Sequence, residues 1–192
     1  MTSLNNRILQ ALAESQQQIK PINQASLSRV LNHMKKKAFC LITAFRGNLT
    51  CEENLKRNKE LAKYIINSHW GFFRVNGKFV QSDHEDGKKI FAQEDFYFVV
   101  GPELDNEEAV EDFKNDMIML GRKFDQQSII LGMEDGVFEV DKVGKKLTKF
   151  KNSPDIVTNK DAENFMTQLI GRGNRAFKLS AISTIEDNLK HE

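Results

Sequence analysis

The sequence predicts an α/β (α+β) sandwich with a ferredoxin-like βαββαβ core and N-terminal helices. Three observations carry that expectation. Apolar, β-branched runs of strand length stand at residues 38–45, 70–75, 95–100 and 127–131. Two longer stretches of helical periodicity, near residues 51–68 and 107–124, fall between them. The resulting order, strand–helix–strand–strand–helix–strand, builds a sheet with helices on one face. The other face of such a sheet needs cover, from the N-terminal helices or from another subunit. The 192 residues divide into an N-terminal helical extension, 1–36, and a domain, 37–192, that ends in a further helix and strand.

The elements follow in chain order. Residues 1–25 are rich in Gln and Asn around a weak helical pattern that Pro21 interrupts. Ser26 caps a better helix over 26–36, with Leu27, Val30, Leu31 and Met34 on one stripe. The run 38–45 (AFCLITAF) is the strongest strand, and Arg46-Gly47-Asn48 turns out of it. Thr50 and Glu53 form a capping box for the next helix, whose inner side carries Leu55, Ala62, Ile65 and Ile66. Asn76-Gly77 reads as a hairpin turn with 78–80 returning from it, and 82–89 as a polar loop. Gly101-Pro102 ends the strand 95–100. In 107–124, Val110, Phe113, Met117 and Leu120 share a face; acidic residues open the helix and Arg122-Lys123 close it, as its dipole favours. Residues 137–140 and 146–150 pair as a hairpin, 161–170 form a helix, and 176–182 form a last strand.

Composition narrows the function classes. A formal net charge of +1 argues against a strongly basic nucleic-acid binder. Fourteen Phe against one Trp and two Tyr put most aromatic area in core or pocket wall. Two cysteines without a C-x-x-C make no disulfide framework. The polar N-terminus lacks a signal-peptide core, and no apolar run approaches the ~20 residues needed to span a bilayer. The expected location is the cytoplasm.

Familiar catalytic devices are poorly supported. The four His residues, His33, His69, His84 and His191, fall in different elements without metal-ligand spacing. No G-x-S-x-G occurs. Cys51 sits at a helix start, where a thiolate is stabilised, but no His lies close in sequence to serve as base. The basic turn 171–175 lacks the Lys-Ser/Thr of a phosphate loop and reads as a helix C-cap. No G-x-G-x-x-G follows the first strand. What remains is the dense polar segment at a strand-to-helix junction, where α/β folds place ligands: Thr43-Ala44-Phe45-Arg46-Gly47-Asn48, then Glu52, Glu53, Asn54 and Arg57. On residue types alone, Asn54 and Arg57 serve equally well to tie the helix to the turn, and Glu53 to cap.

The run from Ile42 to Asn54 resembles the signature of the bacteriophage S-adenosylmethionine (SAM) lyases, of the shape S-A-F-R-x-N-L-x-x-E-x-N. Two further segments are similar in the same order: Gln93-Glu94-Asp95 before the third strand, and Phe124-Asp125-Gln126 before the fourth. The likeness spans about residues 38–140. It implies a PII (GlnB)-like sandwich assembled as a homotrimer with active sites at subunit interfaces. It implies a metal-independent lyase, without a cofactor, that closes the substrate's own carboxylate on its γ-carbon. The products are then 5′-methylthioadenosine and L-homoserine lactone, and depletion of the methyl donor counters restriction-modification. Carried over residue by residue, Glu94 is the catalytic carboxylate. Thr43, Ala44, Phe45, Arg46, Asn48 and Gln126 are substrate-binding, and Phe79 and Tyr97 are the further substrate-binding positions.

One position departs from the family pattern. Phe79 follows Gly77-Lys78 where the family has a Tyr, and a phenyl ring donates no hydrogen bond. Tyr97 or another group takes its place, the alignment slips by one residue, or the substrate differs. A lyase for an adenylylated SAM messenger of CRISPR defence is the alternative substrate reading, with Arg172 and Arg175 meeting the extra phosphate. A PII-like trimer that binds a nucleotide without turnover is the alternative outside enzymes, and a host-takeover protein without a small ligand is a third.

Overall fold

A computed structural model describes residues 27–82, 89–152, 155–157, 166–169 and 176–184. Its first element, α1 (Leu27–Lys36), leads into β1 (Lys37–Ile42). Helix α2 (Cys51–Asn67), the long strands β2 (Gly71–Ser82) and β3 (Lys89–Glu103), helix α3 (Glu107–Lys123) and β4 (Ser128–Met133) complete the βαββαβ unit. In the sheet these strands lie in the order β4-β1-β3-β2, every pair antiparallel. That arrangement is the expected ferredoxin-like core.

The sheet extends at both edges. On one side β4 pairs with β5 (Gly136–Asp141), β5 with β6 (Lys146–Phe150), and β6 with β10 (Ala181–Thr184). On the other, β2 pairs with β8 (Met166–Leu169), which continues to β9 (Ala176–Lys178) and β7 (Asp155–Val157).

Two hydrophobic cores lie on opposite faces. Alternate residues of β1 feed both, Ala38, Cys40 and Ile42 into one and Phe39 and Leu41 into the other. This explains why β1 is apolar throughout rather than alternating. Helices α2 and α3 cover the first face, with Leu61, Ile65, Phe113, Met117 and Leu120 buried against it. The second face carries Phe39, Phe73 and Phe98, stacked ring on ring at 5.1 and 4.7 Å between centroids. Val30 and Met34 of α1 pack there, so part of the expected cover comes from the N-terminal side of the chain.

Several expectations are corrected. Asn76-Gly77 is no turn: β2 runs straight through it, with Asn76 opposite Asp95 and Gly77 opposite Glu94. A two-residue type I′ turn needs positive φ at both positions, and neither residue has it. Gly77 serves close packing instead, since a Cβ there would lie 2.5 Å from Cε2 of Phe96. Residues 78–80 therefore continue the strand outward. Gly101-Pro102 does not end β3, which pairs on to Lys37 across an irregularity between Lys37 and Phe39. A bulge of this kind accommodates a proline that has no N–H to offer the ladder.

Strand β1 ends at Ile42, so Thr43, Ala44 and Phe45 belong to the loop. In α2 the inner side carries Asn54, Asn58, Leu61 and Ile65, while Leu55 is exposed. The expected helix over 161–170 is a strand at its described residues 166–169, because the free edge of β2 captures it. The expected last strand is two, β9 and β10, parted at Leu179-Ser180. The N-terminal pattern 1–25, the Ser26 cap and the basic turn 171–175 lie outside the described residues. No described helix is long and apolar enough to cross a membrane.

Candidate active site

The loop after β1 is held almost entirely by side chains of α2. The Asn58 side chain accepts from the Ala44 N–H at 2.7 Å and donates to the Asp95 carbonyl at 2.8 Å. One turn earlier, Asn54 accepts from the Arg46 N–H at 2.8 Å and donates to the Arg46 carbonyl at 3.0 Å and the Leu49 carbonyl at 3.3 Å. Arg57 donates to the Ala44 carbonyl at 2.9 Å and the Phe124 carbonyl at 2.6 Å. Thr43 donates its hydroxyl to the Asp95 carbonyl at 2.8 Å and accepts from the Phe45 N–H at 3.1 Å.

These polar contacts decide between the open readings. Asn54 and Arg57 do tie the helix to the turn, and a loop tied at successive backbone groups is preorganised. The capping box is present in full: Glu53 Oε2 accepts from the Thr50 N–H, and the Thr50 hydroxyl accepts from the Glu53 N–H. The Thr50 hydroxyl also donates to Glu53 Oε2 at 2.7 Å, and that bond, with the one from the Thr50 N–H, holds the Glu53 carboxyl below the usual range.

Residues 124–126 close the loop from the far side. Gln126 donates to the Phe45 carbonyl at 3.1 Å and the Phe124 carbonyl at 3.2 Å. The Arg46 guanidinium pairs with the Asp125 carboxylate and carbonyl. Asp125 adopts a left-handed backbone at φ 52°, a conformation that Asp tolerates better than most residues.

Beside this loop lies a cavity of about 610 Å³, on the sheet face turned away from α2 and α3. Its floor is apolar, built from Leu41, Phe96, Ile130 and Phe150. Thr43, Phe45, Arg46, Asn48 and Gln126 line its loop end, and Glu94 of β3 joins them. Burial pushes the Glu94 carboxyl above the usual glutamate range. Six of the nine expected site residues therefore share one cavity.

Of the other three, Ala44 and Tyr97 do not line it. Ala44 is buried, with its N–H and carbonyl committed to Asn58 and Arg57. Tyr97 points to the helix face, where its hydroxyl donates to the Asn58 carbonyl at 3.1 Å. Alternation along β3 puts Tyr97 opposite to Glu94 and Phe96, away from the cavity. The backbone of Phe79, in β2, pairs with Ala92 of β3, and its side chain lies outside the described residues.

Sequence reasoning missed two polar groups. Asn58 follows Asn54 at helical spacing on the inward side of α2, a signal that was present in the pattern. Glu139 carried no local signal. It lines the cavity from β5 and accepts from the hydroxyls of Ser128 at 2.7 Å and Thr148 at 2.9 Å. Among the described charged residues that line the cavity, Arg46 and Asp125 neutralise each other, which leaves Glu94 and Glu139. Such a wall suits a compact ligand with an apolar ring system and cationic or hydrogen-bond-donating groups. Cys51 is exposed at the first position of α2 and does not line the cavity. Among the described residues, no three of His, Cys, Asp or Glu are grouped as metal ligands would be.

Comparison with known proteins gives the site a family. A search of curated proteins finds no match. Among solved structures, a phage SAM lyase in complex with S-methyl-5′-thioadenosine matches at a TM-score of 0.36 and 14% identity, covering 55% of this chain and 88% of that one. The model of the S-adenosylmethionine lyase family matches residues 40–165, a span that includes the tied loop, Glu94, Gln126 and Glu139. With two thirds of its length inside that match, the chain belongs to the S-adenosylmethionine lyase family, enzymes that cleave SAM.

Proposed function

We propose that this lyase cleaves SAM to 5′-methylthioadenosine and L-homoserine lactone, with Glu94 holding the methionine arm in the reactive fold. The observation that carries the proposal is the half-buried Glu94 carboxylate beside a loop fixed by Asn54, Arg57 and Asn58.

The substrate supplies the chemistry. An oxygen of its own carboxylate attacks the γ-carbon as the Cγ–S bond breaks. The bonding pair stays on sulfur, so the sulfonium becomes a neutral thioether and leaves as methylthioadenosine. No water is consumed, no proton moves, and neither a cofactor nor a metal is asked for. The enzyme's task is to fold the arm, which is worth up to ~7–11 kcal/mol in well-oriented intramolecular reactions.

Where Glu94 acts follows from charge. Positive charge on sulfur disappears in the transition state. A carboxylate placed against the sulfonium would stabilise the ground state more and slow the step. A carboxylate on the α-ammonium keeps its partner throughout and spends its binding energy on orientation. Glu94 is therefore assigned to the ammonium. Burial makes an isolated anion there unfavourable, so pairing with a cation is favourable. Thr43, Phe45, Arg46, Asn48 and Gln126 form the substrate-binding end of the groove in this reading. Three chains assemble so that neighbouring subunits complete the sites, and in an infected cell the loss of methyl donor blunts restriction-modification.

The test is incubation of the purified chain with SAM in ¹⁸O water. Methylthioadenosine together with unlabelled homoserine lactone is the expected outcome. Homoserine labelled in its side-chain hydroxyl would mean attack by water and would sink the intramolecular mechanism. Tight SAM binding without methylthioadenosine would favour a nucleotide-binding module. Cleavage of the adenylylated derivative alone would move the substrate assignment there.

A further inference from the structure

Glu139 is a carboxylate beside the apolar floor of the site and so far without a role. It stands in the middle of β5, opposite Ile130 of β4 and Thr148 of β6. Each of its oxygens accepts one hydroxyl, from Ser128 and from Thr148. A carboxylate oxygen takes more than one hydrogen bond, so the group is fixed in direction and still has acceptor capacity toward the cavity it lines.

Register places it relative to Glu94. Glu139, Ile130, Leu41 and Phe98 lie level across β5, β4, β1 and β3. Glu94 stands four residues along β3 from Phe98. Three strand spacings and four residues of rise put the two Cα atoms about 14 Å apart across the sheet and about 13 Å along it. One substrate ammonium cannot meet both carboxylates. Between them lies the apolar floor of Leu41, Phe96, Ile130 and Phe150, the surface on which a flat, weakly polar ring can rest.

We propose that Glu139 recognises the nucleoside half of the substrate, by accepting a hydrogen bond from a neutral donor: the exocyclic amine of the base or a ribose hydroxyl. The inference rests on the SAM-lyase reading for the orientation of the ligand, with the methionine arm at Glu94. It gives the site two carboxylates with different tasks. Glu94 meets the charged arm, and Glu139 reads the adenosine end. Ser128 and Thr148 are positioning residues that hold the acceptor still.

Calorimetry with the whole chain separates the outcomes, using methylthioadenosine, its 6-oxo (inosine) analogue and its 2′-deoxy analogue. Methylthioadenosine is neutral and lacks the methionine arm, so Glu94 does not enter the comparison. Loss of a hydrogen bond to a charged acceptor weakens binding on the order of tenfold or more. The wild-type chain is expected to lose that factor with one analogue; the 6-oxo analogue marks the amine as donor, and the 2′-deoxy analogue marks the hydroxyl. Glu139→Gln is expected to bind methylthioadenosine about tenfold more weakly and to discriminate less between it and the losing analogue, as a coupled pair must. If circular dichroism shows the Glu139→Gln variant to be unfolded, the wild-type analogue series is the deciding measurement. Equal binding of all three compounds by the wild type, or no binding of methylthioadenosine at all, overturns the assignment. So does full discrimination that persists in folded Glu139→Gln. A wild-type chain that discriminates as expected but never cleaves SAM would sink the lyase reading while the Glu139 assignment stands.

Discussion

Glu94 shows what one residue's surroundings do to its chemistry. Its carboxyl is raised by burial, so it holds its proton to a higher pH than an ordinary glutamate. In the role proposed for Glu94, only the anion pairs with the substrate ammonium. The kcat/KM for SAM is therefore expected to fall as pH drops through this raised pKa, and the acid limb should vanish in Glu94→Gln. In that variant kcat/KM is expected to drop on the order of 100-fold, as loss of a charged contact in an enclosed site does. A pH–rate profile of wild type and variant checks both. Stability runs the other way. The unfolded carboxyl ionises at its ordinary value and the folded one later, so stability present below the unfolded value is lost as pH rises through the raised folded value. Above that window Glu94→Gln should melt no lower than the wild type. A variant that is both less active and clearly less stable at neutral pH would mean that Glu94 serves the fold rather than the site.

At the scale of the element, α2 does two jobs on one face. Its C-terminal half buries Leu61 and Ile65, and its N-terminal half points Asn54 and Asn58 at the loop. Asn58→Ala would strip a partner from the buried Ala44 N–H and one from the Asp95 carbonyl. The expected cost is about 2 kcal/mol in urea denaturation, with a raised KM for SAM as the loop loses its tie. Leu55→Lys, on the exposed side, should change stability by less than about 0.5 kcal/mol. Strand β2 offers the parallel case. Gly77→Ala pushes a methyl against the Phe96 ring, which forms part of the cavity floor. Overpacking of this kind typically costs about 1–3 kcal/mol, and displacement of the ring should weaken methylthioadenosine binding in the same variant.

At the scale of the whole molecule, the sheet carries a buried core on each face, and the candidate groove shares the face of the second core. The two functions compete for the same surface, because Leu41, Ile130 and Phe150 are at once core and floor. If subunits complete the groove as proposed, sedimentation velocity at micromolar concentration should show three chains per particle. A monomer that is fully active would place the whole site within one chain.

The sequence by itself determined the βαββαβ order, the capping box of α2 and the buried face of α3. Each of these rests on local periodicity or on side chains a few residues apart. It also marked the segment that lines the cavity, because a loop tied by α2 needs Asn54 and Arg57 at fixed spacing from it. Tertiary structure decided what depends on distant partners. Asn76-Gly77 satisfies every local rule for a turn, yet Phe96 and two neighbouring strands hold it extended. Residues 166–169 sit in a stretch of helical pattern and are drawn into the sheet by the edge of β2. The alternation of β3 set Tyr97 and Glu94 on opposite faces, which depends on which face the groove occupies. Glu139 entered the site only when β5 paired beside β4, for nothing in its own strand distinguishes it from an exposed acid.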